Sequence, residues 1–196
     1  EILQAMHIRI VEQEGFEADD LIGTLSKKGE REGFAVTILS GDRDLLQLAT
    51  DTVLVRIPKT KHGKTEVEDY YAADVEAKYG VTPAGFIELK ALMGDTADNI
   101  PGVPKVGEKT ASELLKQFQT LDNLYAHVEE VTKKAVRESL IANKDLAYLS
   151  LDLATIRIDS PVVLDWNEAR LGELYTEDAY QLFRKLEFKN LLGRFE

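Results

Sequence analysis

The chain has 196 residues, of which 44% are hydrophobic and 30% charged, with no cysteine and a formal net charge of -11. This length and hydrophobic content allow a buried core and exclude a disordered chain, and the sequence has no apolar run long enough to span a bilayer. The lack of cysteine excludes disulfides and thiolate-bound zinc and favours a reducing cytoplasm. The acidic balance argues against nucleic-acid binding unless bound cations offset it.

The first third of the chain has the pattern of an α/β sheet with crossover helices. Residues 7–12 alternate like a strand, and residues 16–33 predict an amphipathic helix with acids in its first turn. Residues 34–40 form a short apolar run typical of a buried parallel strand. A helix at 42–49 and a strand at 52–57 complete the pattern, which predicts a mostly parallel sheet.

The rest of the chain is predicted to be mostly helical. We therefore expect an α/β core at residues 1–80 and a helical region at residues 81–196, whose C-terminal part packs back on the core. In chain order, the predictions are a basic turn at 60–66, helices at 69–79, 83–93, 108–118 and onward to about 150, a strand-like run at 153–158 and an amphipathic helix at 176–195.

Acidic residues recur in three short groups. The first two groups are predicted to follow neighbouring strands, where ligand sites of open α/β sheets gather, so they could meet in space. The third pair has a spacing of three, which places both carboxylates on one face of a helical turn. Each group alone has a structural alternative, a helix cap or an Asx turn. The groups are Glu17, Asp19 and Asp20, then Asp42 and Asp44, then Asp95 and Asp98.

Together these acids predict metal-assisted phosphodiester hydrolysis. Carboxylate oxygens are the ligands that Mg²⁺ and Mn²⁺ prefer. Two such ions about 4 Å apart can activate a water and stabilise the leaving oxygen. Carboxylates packed so closely would repel one another without cations, so the pattern implies dependence on metal.

The stretch "GDTADNIPGVPKVGEKTA" (94–111) is dense in glycine and proline. It nearly fits the phosphate-binding pattern G-x-x-x-x-G-K-[ST], but Glu108 interrupts the pattern and the stretch follows a predicted helix at 83–93 instead of a strand. Nucleotide binding by a P-loop is therefore the weakest of the alternatives.

We interpret this stretch as a hairpin between two helices that grips duplex DNA. Gly102 and Gly107 would let the backbone approach a phosphate, and N–H groups at the start of the next helix would point at the anion. Lys105 and Lys109 add positive charge. Such contacts position a duplex without reading its bases. Exposed carbonyls could also hold a monovalent cation, and a plain helix connection is the alternative.

Three motifs in this order resemble the 5′-nuclease domains of bacterial DNA polymerases I, which belong to the flap endonuclease family. They are "EADDLIGTL", "LSGDRDLLQL" and "LMGDTADNIPGVPKVGEKTASELL", and the closing "LEFKNLL" is similar to the end of those domains. The resemblance covers essentially the whole chain. It implies a PIN-like parallel sheet with flanking helices, followed by a helix–three-turn–helix region. It also implies a structure-specific nuclease that removes 5′ flaps and RNA primers in DNA replication and repair.

The resemblance assigns roles to two sets of residues. All seven acids match the metal-binding acids of the family, for two Mg²⁺ or Mn²⁺ ions, with Asp20, Asp42 and Asp44 as the catalytic candidates. The DNA-binding hairpin, which often surrounds a potassium ion, corresponds to Gly102, Val103, Lys105, Val106, Gly107, Lys109 and Thr110.

The family pattern also contains an N-terminal strand with another metal-site aspartate and a basic arch, and "EILQAMHIRI" (1–10) matches neither. We therefore expect an incomplete metal site, impaired cleavage and an exposed sheet edge. The implied partners are flapped, nicked or primed DNA and polymerase domains in the same chain, with a monomer in the bacterial cytoplasm at the nucleoid. A non-catalytic, sequence-independent duplex-binding module is the alternative function.

Overall fold

The computed structural model describes residues 1–61 and 63–195 and contains a mixed sheet of three strands in the order β1-β2-β3. The strands are β1 (Val36–Leu39), β2 (Val53–Lys61) and β3 (Lys64–Tyr70). β1 runs parallel to β2, whereas β2 and β3 form an antiparallel hairpin. The predicted turn at 60–66 therefore falls on this hairpin, and its residue 62 lies outside the described residues.

The prediction of a first strand at residues 7–12 is wrong. A short helix, α1 (Ile2–Ala5), precedes this stretch, which is irregular. Alternation of apolar residues predicts a strand only if a neighbouring strand supplies hydrogen bonds. Among the described strands, β1 pairs with β2 alone and so forms an edge of the sheet.

The helices predicted before and after β1 are both present, the first as an α-helix and the second as a 3₁₀ helix. α2 (Ala18–Arg31) has Asp19 and Asp20 in its first turn and basic residues in its last turn, as the helix dipole favours. The segment after β1 is a 3₁₀ helix (Arg43–Leu48) instead of an α-helix. A turn of three residues places Leu45 and Leu48 on the same side, where both are buried.

Beyond the sheet the chain is helical, as predicted. The first helix starts later than predicted, because residues 69 and 70 still belong to β3, and the strand predicted at 153–158 is wrong, because the preceding helix continues to Ala154. The elements are α3 (Ala72–Tyr79), α4 (Pro83–Met93), α5 (Glu108–Phe118), α6 (Leu121–Ala126), a 3₁₀ helix (Val128–Glu130), α7 (Lys134–Ala142), α8 (Lys144–Ala154), α9 (Glu177–Lys185) and α10 (Lys189–Leu192).

One hydrophobic cluster runs from the sheet into the helices. Val55 of β2, Leu45 of the 3₁₀ helix, Leu92 of α4 and Leu140 of α7 are all fully buried in it. Apolar side chains from both sides of residue 80 therefore pack together, while the division into two domains stays a prediction. Among the described residues, no helix combines the length and the apolar character needed to cross a membrane.

Candidate active site

Carboxylates from three distant stretches line one cavity of about 730 Å³. One wall of the cavity is formed by residues 152–157, which span the end of α8 and the segment after it and add a further carboxylate, Asp152. Six of the seven predicted acids face this cavity, and Asp95 lies beside it. The six are Glu17, Asp19, Asp20, Asp42, Asp44 and Asp98.

The first group of acids stands at the start of α2. Asp20 is held by two backbone N–H groups: that of Glu17 donates to Oδ2 at 3.4 Å, and that of Arg157 donates to Oδ1 at 2.9 Å. Asp20 therefore caps the start of α2, as the structural alternative predicted, and also lines the cavity. Burial, and after it the negative charges of Asp42 and the other nearby acids, raises the pKa of the Asp19 carboxyl. The carboxylates around Asp19 therefore lie close enough to repel one another.

The second group follows β1 directly, as predicted. The Asp42 carboxylate accepts a hydrogen bond from the Asp44 backbone N–H at 2.8 Å and caps the 3₁₀ helix. The Asp42 N–H in turn donates to Ser40 Oγ at 3.1 Å. This cap fixes the direction of the Asp42 side chain. The Asp44 side chain points toward Lys90 of α4 and is 17% exposed. Burial raises the pKa of Asp44, and a hydrogen bond from Lys90 opposes that rise.

The third group lies in a turn after α4 and not on a helix. Asp95 and Ile100 form an isolated antiparallel bridge, with backbone hydrogen bonds of 2.9 and 2.8 Å between them. Asp95 Oδ1 accepts a hydrogen bond from the Ala97 N–H at 2.8 Å, which is the Asx-turn alternative. The same turn leaves the second oxygen of Asp95 and one oxygen of Asp98 free to contact a cation from α4.

That cation is Lys90, which the sequence analysis did not single out. Its ammonium pairs with Asp44, with Asp95 at 2.7 Å and with Asp98 at 3.6 Å. Burial alone would lower the pKa of Lys90, but hydrogen bonds to Asp44 and Asp95 outweigh burial and raise the pKa. The hydrogen bond from Lys90 also lowers the pKa of Asp95. A lysine inside the apolar run "FIELKALM" was the available signal in the sequence.

A second contact that the sequence did not reveal fixes residues 154–156 in the wall of the cavity. Gln47 of the 3₁₀ helix donates to the Ala154 carbonyl at 2.9 Å and accepts from the Ile156 N–H at 2.9 Å. Arg157 follows, and its guanidinium lies 5.3 Å from the centre of the Phe16 ring. Among the described residues that line the cavity, Arg157 is the one with a positive charge.

The hairpin between α4 and α5 is tightly folded on itself. A Cβ added to Gly102 would lie 2.3 Å from the Gly94 nitrogen, so the close approach that Gly102 permits is to Gly94. Val103 and Val106 are each 3% exposed and pack in the core. The hairpin follows α4, so among the described residues it lacks the strand–loop–helix order of a P-loop.

The exposed part of this hairpin is its second half. Lys105, Gly107 and Lys109 are exposed, and Thr110 is half-buried. Lys105 has a left-handed backbone, with φ of 68°. A Cβ added to Gly107 would meet no described atom within 4 Å. These residues leave the backbone at the start of α5 open to a large partner.

Comparison with known proteins identifies the class of the chain. Residues 1–80 match the family model of the 5′-3′ exonuclease N-terminal resolvase-like domain, and residues 81–177 match that of the 5′-3′ exonuclease C-terminal SAM fold. The chain belongs to the 5′-3′ exonuclease family, whose members are metal-dependent nucleases.

The similar curated proteins are bacterial DNA polymerases I. The enzyme of Bacillus caldotenax is 45% identical over 196 residues, which cover 100% of this chain and 22% of the polymerase. The enzyme of Bacillus subtilis is 46% identical over 194 residues, which cover 99% of this chain and again 22% of the polymerase. The chain therefore spans about a fifth of the length of these relatives.

The solved structures agree with this assignment. The flap endonuclease of bacteriophage T5, in a pseudo-enzyme–product complex with DNA and metal ions, is 28% identical with a TM-score of 0.62, over 71% of this chain and 50% of that one. The catalytic core of Rad2 in complex with a DNA substrate is 22% identical with a TM-score of 0.60, over 98% of this chain and 62% of that one, and shows the fold alone. The predicted fold class and family are confirmed.

Proposed function

We propose that this chain is a 5′-nuclease domain that hydrolyses phosphodiester bonds of 5′ flaps and RNA primers on duplex DNA, in replication and repair. The observation that carries the proposal is the meeting of the six predicted carboxylates in one cavity, which Asp152 lines as a seventh. A structural use for six converging acids is hard to find, because like charges so close together destabilise the fold. Membership in the exonuclease family and the DNA-bound T5 neighbour support the same conclusion.

The donor set suits two divalent ions, Mg²⁺ or Mn²⁺. Every acid in the cavity offers hard oxygen atoms, and the pKa of Asp19 is raised first by burial and then by the neighbouring acids, whose charge a cation would neutralise. Two such ions when bound would activate a water molecule and stabilise the leaving oxygen. The first ion would be held by Glu17, Asp19, Asp20 and Asp42, and the second by Asp44, Asp95 and Asp98, directly or through water.

The protein side chains contribute position and charge. The fold fixes the directions of Asp20, Asp42 and Asp44 through hydrogen bonds from backbone N–H groups or from Lys90. We assign these three to the reaction centre. Arg157, whose backbone N–H holds Asp20, also lines the cavity and would attract a phosphate of the bound strand into a site that would otherwise repel it.

The exposed half of the hairpin would hold the duplex. Lys105 and Lys109 would contact phosphates beside the open backbone at Gly107, and Thr110 would support the start of α5. Buried Gly102, Val103 and Val106 would shape the hairpin from within. Hairpin carbonyls would bind a potassium ion. The chain would act as a monomer joined to polymerase domains, in the cytoplasm at the nucleoid of a bacterium.

The test is cleavage of an end-labelled 5′-flap duplex with and without Mg²⁺. The wild-type protein is compared with Asp42→Asn, and Asp51→Asn serves as a control because Asp51 is an exposed turn acid away from the cavity lining. We expect Mg²⁺-dependent cleavage by the wild type and by Asp51→Asn, and a loss of about a hundredfold or more for Asp42→Asn.

Binding of the same flap substrate is measured in parallel, because the alternative function predicts binding without turnover. If the wild-type protein binds the duplex but cleaves no bond at any Mg²⁺ concentration, the chain is a duplex-binding module. Undiminished cleavage by Asp42→Asn would place the reaction centre elsewhere.

A further inference from the structure

Lys90 lies near the end of α4, and three carboxylates surround its ammonium. The contacts are to Asp44 Oδ1, to Asp95 Oδ2 at 2.7 Å and to Asp98 Oδ2 at 3.6 Å. The Lys90 side chain is 7% exposed, so separating its ammonium from these partners would leave a buried charge unpaired. One oxygen from each aspartate lies within 4.8 Å of the others. A single cation can therefore contact all three carboxylates, and in this structure the Lys90 ammonium is that cation.

This arrangement joins two separate parts of the chain. Asp44 belongs to the 3₁₀ helix after β1, whereas Asp95 and Asp98 belong to the turn after α4. Three carboxylates at this distance would repel one another, and Lys90 neutralises one of the three negative charges. Lys90 projects from α4, whose Leu89, Ala91 and Leu92 are buried in the core, so its ammonium meets these carboxylates in a largely apolar setting.

We propose that Lys90 is a built-in counter-ion of the second metal site, which holds Asp44, Asp95 and Asp98 together before a metal ion arrives and weakens the binding of that ion. The inference rests on the proposed function, because it takes these three carboxylates as ligands of the second ion. Asp98 is 54% exposed and leaves one side of the cluster open, so an ion can approach while Lys90 remains in place. The two ions of the site are then bound with unequal affinity.

The first experiment measures Mn²⁺ binding by electron paramagnetic resonance of the free ion, for the wild type and for Lys90→Met. Methionine keeps the length of the side chain and removes its charge. We expect two ions of unequal affinity in the wild type, and a weaker ion that binds about tenfold more tightly in Lys90→Met, because repulsion between cations is strong where water is excluded. Lys116→Met, which removes a charge from the exposed face of α5, should leave both affinities unchanged. If the more weakly bound Mn²⁺ ion binds Lys90→Met no more tightly than it binds the wild type, the proposal is overturned.

The second experiment needs no variant, in case Lys90→Met does not fold. The buried ammonium of Lys90 should give a slowly exchanging ¹⁵Nζ resonance in the wild-type protein, and Mg²⁺ is then added stepwise. We expect this resonance to shift during the weaker of the two binding steps. A resonance that stays unchanged through both steps overturns the proposal.

The two experiments also separate this inference from the proposed function. If the wild-type protein binds no Mn²⁺ and cleaves no flap, the nuclease assignment fails. If it binds two ions and cleaves, but Lys90→Met binds both with wild-type affinity, the counter-ion role alone fails.

Discussion

Gly102 lies against the backbone of Gly94, so closely that a Cβ on Gly102 would be 2.3 Å from the Gly94 nitrogen. Both residues have positive φ, 64° and 75°, which glycine adopts at low cost. The contact closes the hairpin after α4 and places the turn that carries Asp95 and Asp98. The shape of the candidate site therefore depends on two residues that carry no side chain.

Gly102→Ala should destabilise the protein by about 3 kcal/mol, because the methyl group must displace backbone and the left-handed conformation is strained. Urea denaturation followed by circular dichroism measures the loss. Gly107→Ser is the matched control, since its φ of -90° suits any residue and serine is a good helix cap. If both variants lose the same stability, the Gly94–Gly102 contact does not constrain the hairpin.

Glu68 on β3 holds the sheet to its neighbours through a network of hydrogen bonds. Lys59 of β2 donates at 2.7 Å, the Tyr70 hydroxyl donates at 2.7 Å, and Lys78 of α3 donates at 3.3 Å. The hydrogen bond from Lys59, followed by that from Tyr70, lowers the pKa of Glu68 to about 2. The charged form is therefore favoured in the folded protein more than in the unfolded chain.

Glu68→Gln should lower stability by about 1 kcal/mol at neutral pH, because the partly exposed network loses its charge. The contribution of Glu68 is complete above its ordinary pKa of 4.5 and is lost as pH falls toward about 2. Urea denaturation of both proteins from pH 7 to pH 2.5 should therefore show a difference that narrows below about pH 4.5. A difference that stays constant down to pH 2.5 would contradict the role of Glu68.

Gln47 is expected to matter more than its partial burial suggests. Gln47→Ala removes both hydrogen bonds to residues 154 and 156 and leaves the Ile156 N–H without its partner. We expect a loss of about 2 kcal/mol in the free energy of unfolding, measured with urea. Gln181→Ala is the control, because the Gln181 side chain bonds to Glu177 one turn away on the exposed face of α9, and this change should cost about 0.2 to 0.5 kcal/mol. Equal losses in the two variants would mean that the hydrogen bonds from Gln47 to residues 154 and 156 add no particular stability.

Divalent ions should stabilise the folded protein, since the acids of the cavity repel one another without them. At about a hundred times the Kd, Mg²⁺ should raise Tm by about 5 °C or more, as read from a thermal melt. Asp19→Asn should raise Tm without metal, because it removes a charge that burial and Asp42 disfavour, and should weaken the response to Mg²⁺. A Mg²⁺ response equal in the two proteins would mean that the ion binds outside the cavity.

The sequence is sufficient to predict those elements whose cause is local. α2, β1, α4 and α5 follow from periodicity, from acids or glycine at helix ends, and from runs of apolar residues. The acids of the cavity were identified for a related reason, because they occur in short clusters next to these elements.

The errors arise where the cause is distant in the sequence. Residues 7–12 and 153–158 alternate like strands, but strand formation needs a partner that local alternation does not reveal. β3 was missed because its residues are mostly exposed and charged. The contact between Lys90 and Asp44 spans 46 residues and the contact between Gln47 and Ala154 spans 107, so neither pairing was predicted. Such pairings depend on how α4 and α8 pack on the 3₁₀ helix, although the position of Lys90 inside an apolar run marks the residue itself.

The hydrogen bond from Arg157 to Asp20 joins residues 137 positions apart and closes the acidic cavity. During synthesis the acids of α2 and of the 3₁₀ helix leave the ribosome long before residues 152–157 exist, so each is hydrated separately at first. A contact between residues so distant in sequence carries a high loop-closure cost, so we expect the enclosure of these charges to come late in folding. The electrostatic cost of the site would then fall on a step at which other apolar surface is already buried.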